Sequence, residues 1–184
     1  MWRKLLVLLL GLLILGMGVT KTSNTTNIAG PDFPTSKLNL PTYYIGSPEV
    51  GVIVQKAGFT KVTILDDFKT LPKEKGVIII SRGLNEREIN LLDKALKNGF
   101  IIVAIGEDAL NQVKQTLLKM KAISVDFYYS DSGGKLVRTK VYAYKIMKKL
   151  PNGRYGVYIK GYAGNVTPEM LKTAAFEAVS AEGS

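Results

Sequence analysis

Two unbroken apolar runs, Val77-Ile78-Ile79-Ile80 and Phe100-Ile101-Ile102-Val103-Ala104-Ile105, constrain this chain more than any other feature. A strand with one wet face alternates apolar and polar residues, whereas a run without polar residues is a strand covered on both faces. Between the runs, Asn85-Glu86-Arg87-Glu88 has the form of a capping box. In that motif Asn85 accepts from the backbone and Glu88 reaches back. Ile89, Leu92 and Leu96 follow at helical spacing, and Asn98-Gly99 ends the helix. Strand, helix and buried strand in succession predict a parallel sheet with helices packed on it.

The neighbouring segments obey the same grammar. Thr42–Ile45 reads as a strand, Gly46 as a turn, and Ser47-Pro48-Glu49 as a helix start with a Ser cap. Val50, Ile53, Val54 and Ala57 form that helix's inner face, and Gly58 stops it. Lys61–Leu65 is a second strand ending at Asp66-Asp67, and the connector Phe68–Lys75 carries no helical period. Gly106-Glu107-Asp108 opens another helix with Leu110, Val113, Leu117 and Met120 inward. Ser124–Ser130, Lys135–Met147 and Arg154–Gly161 alternate instead, with turns at 131–134 and 151–153. They predict an antiparallel extension of the sheet. Thr167-Pro168-Glu169 caps a last helix with Leu171, Ala174, Ala175 and Ala178 inward. The expected fold is α/β: a three-layer sandwich around a mainly parallel sheet, with an antiparallel β extension and a C-terminal helix. It occupies residues 40–184, with a βαβ part over 40–123 and a β-rich part plus helix over 124–184.

The N-terminus is of another kind. Arg3 and Lys4 precede the apolar run Leu5–Val19, the pattern of a secretion signal or membrane anchor. The cations are expected to stay cytoplasmic and the rest of the chain to lie outside. Residues 1–20 are therefore expected to be a signal cleaved near Gly16-Met17-Gly18 or a retained anchor running from Trp2 to Thr20. Residues 21–39 read as a polar linker with turn formers at Gly30-Pro31-Asp32-Phe33-Pro34. Asn24-Thr25-Thr26 and Asn165-Val166-Thr167 are N-glycosylation sequons, which makes Asn24 and Asn165 candidate modification sites.

Cysteine and histidine are both absent. Disulfides, thiolate metal sites and Cys or Ser-His-Asp nucleophile machinery are thereby excluded within this chain. The net charge is +10. Such a balance suits a polyanion partner, or plain solubility from many lysines.

Four strand ends would meet where parallel sheets bind ligands, and they carry Ser47, Asp66, Asp67, Arg82, Glu107 and Asp108. This rim could hold a divalent cation or polar ligand. The plainer alternative is that its acids cap helices and solvate loops. Gly46 to Gly51 followed by Asp66 partly matches a dinucleotide fingerprint but has Pro48 at the middle glycine, so no cofactor is implied. Ser47 or Ser81 as a nucleophile would need a Lys or Asp base, and no local motif supplies one. Late in the chain, Arg138, Lys140, Tyr142 and Tyr144 share one side of their strand by period two. Tyr158, Lys160 and Tyr162 form a similar set, with Lys145, Lys148 and Lys149 nearby. Together they form a candidate face for nucleic acid or acidic glycan, against the alternative of an edge hairpin kept soluble by lysine.

The stretch Leu71–Gly106 resembles the middle of a class I glutamine amidotransferase-like domain. The likeness is carried by Val77–Ile80, Leu84-Asn85-Glu86-Arg87-Glu88, Asn98-Gly99 and Phe100–Ile105. Members of that group use a cysteine at a strand-to-helix elbow and a downstream histidine. Here the elbow holds Gly106-Glu107-Asp108, so the resemblance implies a non-catalytic relative used for binding or scaffolding. The expected role is a non-enzymatic binding or structural domain of the cell envelope, anchored or secreted. Two alternatives stand beside it: a polyanion binder working through the strand face, and an assembly subunit self-associating through its apolar N-terminus.

Overall fold

A computed structural model describes residues 38–123 and 141–181. The expected signal or anchor, Asn24, the strand Ser124–Ser130, and Arg138 and Lys140 lie outside them. The elements are β1 (Leu38–Ile45), α1 (Pro48–Lys56), β2 (Phe59–Ile64), β3 (Val77–Ile80), α2 (Glu86–Lys97), β4 (Ile101–Ile105), α3 (Glu107–Lys119), β5 (Val141–Lys149), β6 (Tyr155–Tyr162) and α4 (Pro168–Ser180).

The six strands form one sheet in the order β2-β1-β3-β4-β5-β6. β2, β1, β3 and β4 are parallel, while β5 and β6 join antiparallel. The fold is the expected three-layer α/β sandwich. One face of the sheet sets Ile78, Ile80, Ile102 and Ala104 against Leu92 and Leu96 of α2 and Val113 and Leu117 of α3. The other sets Val77, Ile79, Ile101 and Val103 against Val54 of α1 and Leu171, Ala174, Ala175 and Ala178 of α4. Alternate residues of β3 and β4 thus enter opposite cores, which is why both runs carry no polar residue.

Three local features differ from expectation or explain it. β1 starts at Leu38, inside the expected linker, and continues through Pro41. Proline lacks the N–H a central strand needs. It is accommodated because β3 begins only opposite Thr42 and the pairing with β2 shifts register between Leu38 and Pro41. Ser47 holds the N-cap position of α1 but makes no side-chain cap bond. No helix covers the crossover from β2 to β3. Phe68, 1% exposed, fills that place in the core as a single side chain from the connector.

Candidate functional site at the strand ends

After β1 the chain turns to β2 on one side, and β3 pairs on the other. That reversal opens a crevice in doubly wound sheets, at the carboxyl ends of the two diverging strands. Here those ends are Gly46-Ser47 and Ser81-Arg82-Gly83, so the sequence-predicted rim is brought to the expected pole of the sheet.

The crevice is occupied by the protein itself. The Tyr44 hydroxyl donates to the Ser47 carbonyl at 2.7 Å and lies 2.6 Å from Ser81 Oγ. Burial raises the Tyr44 pKa above the ordinary phenol value, so the group is a neutral hydrogen-bonding plug. Only glycine fits at 46: an added Cβ would stand 1.9 Å from Ser81 Oγ and 2.5 Å from the Tyr44 hydroxyl. Ser81 is thereby a structural partner of Tyr44. No Lys or Asp contact that would activate it is seen among the described residues.

Arg82, expected on the ligand rim, is turned to Glu88. Its two terminal nitrogens reach the carboxylate at 2.7 and 2.9 Å, and one also donates to the Gly83 carbonyl. Glu88 further accepts the Asn85 and Phe68 backbone N–H groups at 2.9 and 3.1 Å. The Arg82 guanidinium, followed by the two backbone donors, holds the carboxyl down at about 2 despite its burial. Arg82 is therefore the counter-ion of a buried capping-box acid. That pairing accounts for its place on the rim without a ligand. Gln112 closes the next stretch of rim, accepting from Leu84 N–H at 2.6 Å and donating to the Leu84 carbonyl at 2.8 Å.

Asp66, Asp67, Glu107 and Asp108 are exposed at this pole. Asp67 pairs with Lys69 at 2.7 Å. Among the described residues no three acids or other ligating groups converge as a cation would need. A cleft of about 230 Å³ lies instead beside β2, between Tyr43, Lys61, Asp67, Lys69 and Lys73. Its wall charges are largely mutual, with Lys61 also 3.8 Å from Glu74.

Among the described residues, the late strands do not form one aromatic-basic face. Tyr142 and Tyr144 are 4% and 0% exposed, in the core beneath α2 and α3, with ring centroids 6.0 Å apart. Antiparallel register pairs Tyr144 with Ile159 and Lys145 with Tyr158, so Tyr158, Lys160 and Tyr162 point to the opposite side, toward α4. There Lys160 pairs with Glu177 at 2.8 Å and sits 5.6 Å from the Tyr162 ring centre. Tyr162 donates to the same carboxylate, and burial, then this bond, raises its pKa. Lys145 donates to the Val179 and Ala181 carbonyls and so closes the end of α4. Tyr rings spent on the core cannot stack on bases, and this corrects the single-face reading.

Asn165 is exposed in the turn before α4, whose cap Thr167 accepts from Met170 N–H at 3.1 Å. The residues that organise the strand ends, Tyr44 and Gln112, carry no motif. The nearest sequence signal is Gly46, placed where the Tyr44 ring needs room. Comparison with known protein families, with curated proteins and with solved structures yields no match.

Proposed function

We propose that this chain is a non-catalytic binding or structural domain of the cell envelope, held at a membrane by its apolar N-terminus with the globular part outside the cytoplasm. The observation that carries the non-catalytic half is that the polar groups at the crevice and its adjoining loop bond one another, while the exposed acids of that pole, Asp66, Glu107 and Asp108, join no ligating cluster among the described residues. Tyr44 meets Ser81, Arg82 meets Glu88, and Gln112 meets Leu84. A catalytic pole needs groups left over for a substrate, and a general base needs a proton affinity near the working pH. Glu88, the one strongly shifted acid there, is held far from that range by Arg82. The chain's lack of cysteine and histidine favours the same reading, as does its resemblance to amidotransferase-like domains stripped of their nucleophile.

The membrane half is supported by Arg3 and Lys4 ahead of Leu5–Val19. Among residues 38–123 and 141–181 no helix is long and apolar enough to cross a membrane. Fractionating cells and weighing the intact chain tests this half. The expected chain sits in the membrane fraction with residues 1–19 present, and its lysines react with an impermeant amine reagent on whole cells. A cytosolic chain with an intact N-terminus overturns it.

A further inference from the structure

We infer that the pole of the sheet opposite the strand carboxyl ends is a docking surface for an anionic lipid headgroup layer. The inference builds on the membrane reading above and assigns it a surface. All four helices begin at the carboxyl-end pole and run back toward the other, because each follows a strand pointing the same way. Glu49, Asp66, Asp67, Glu86, Glu107 and Asp108 stand exposed at the first pole. Lys56, Lys75, Lys94, Lys121, Lys149 and Arg154 stand exposed at the second. The acids there are few by comparison: Asp93 is tied to Lys97 at 2.6 Å and Glu74 stands 3.8 Å from Lys61.

Helix dipoles account for part of this polarity. Acids are favoured in the first turn and bases in the last, and Glu49 and Lys56, or Glu86 and Lys94, follow that rule. They do not account for Lys149 and Arg154, whereas Lys75 reaches the Gly99 end of α2 and Lys121 directly follows the C-cap of α3. Lys75 and Lys121 lie in connectors, Lys149 ends a strand, and Arg154 is in the β5–β6 turn. Solubility alone would scatter these charges over the surface. A second observation selects the partner. The chain enters the sheet at this same pole, since Leu38 pairs with Phe59, the first residue of β2, and lies below the start of β3. Leu38, the first described residue, therefore lies at the pole where the lysines are gathered, and Leu5–Val19 precede it in the sequence. Basic side chains near an anionic leaflet are attracted within about 8–10 Å at physiological salt.

The test is lysine acetylation footprinting of the full chain. It is read by peptide mass with phosphatidylcholine vesicles, equimolar phosphatidylcholine–phosphatidylglycerol vesicles, or duplex DNA. With the anionic vesicles, Lys75, Lys94, Lys121 and Lys149 are expected to react about fivefold more slowly, and Lys69 at the opposite pole at an unchanged rate. Salt near 1 M, with a screening length of about 3 Å, should remove the protection. The variant Lys75→Gln/Lys94→Gln/Lys121→Gln, all surface positions, should lose protection at Lys149 with its melting temperature retained. A chain that sediments with both vesicle types while these lysines react freely overturns the docking surface and leaves the apolar anchor standing. Protection by anionic vesicles without sedimentation on neutral ones keeps the surface and removes the anchor. Association with neither removes both. Protection by DNA and not by vesicles overturns the lipid assignment in favour of nucleic acid.

Discussion

Glu88 accepts both terminal nitrogens of Arg82, at 2.7 and 2.9 Å, while its side chain is only 3% exposed. The pair welds three segments: the end of β3, the start of α2, and the connector through Phe68. A carboxylate taken from water is stable only when its lone pairs are met, and these are.

Acid should therefore undo the protein partly through this group. Its folded pKa, about 2, is depressed from the ordinary 4.5. The stabilisation is fully present above the unfolded value and fades as pH falls through the folded one. By linkage the difference corresponds to about 3 kcal/mol. Urea unfolding followed from pH 6 to pH 2 should show this loss. Arg82→Ala should remove roughly 3 kcal/mol at neutral pH and shift the acid midpoint upward, because Glu88 stays buried without its counter-ion. An acid profile unchanged by Arg82→Ala would refute the assignment.

Gly76 should tolerate no side chain. A Cβ there would stand 1.9 Å from the Pro41 carbonyl oxygen, a backbone atom of the neighbouring strand that cannot swing aside. Gly76→Ala is expected to cost more than about 3 kcal/mol in chemical denaturation, beyond ordinary overpacking. Gly58→Ala, with open space around it but φ +79, should cost only about 1 kcal/mol.

The buried phenols give an alkaline counterpart. Burial raises the pKa of Tyr44, Tyr158 and Tyr162 above 10, and for Tyr162 the Glu177 carboxylate adds to the shift. Groups with raised folded values stabilise fully below their unfolded pKa, and that contribution falls as pH climbs past it. Stability should decline above about pH 10, with part of the phenolate absorbance appearing only as the chain unfolds. A tyrosine titration complete near pH 10 in the folded protein would contradict this.

Much of the fold was legible because it rests on local codes. The capping box of Asn85 and Glu88 forms as written, and Leu171, Ala174, Ala175 and Ala178 all face inward. The strand-end site was legible in position but not in state. Period two assigns residues to sides within one strand; it does not say which sides coincide across strands. Pairing register does, and it divided Tyr142 and Tyr144 from Tyr158 and Tyr162. Likewise Arg82 and Glu88 lie six residues apart with a loop and a helix start between them, so no helical spacing signals their contact. Pro41 hid the first half of β1 because its exemption depends on where β3 begins.

Gln112 presents to Leu84 the donor and acceptor that another peptide unit would offer. The 81–85 loop is thus stitched to a helix as if to a neighbouring strand. Loosening it must break both of these bonds at once, so Gln112→Ala is expected to free the loop's amide protons for exchange while α3 keeps its own protection.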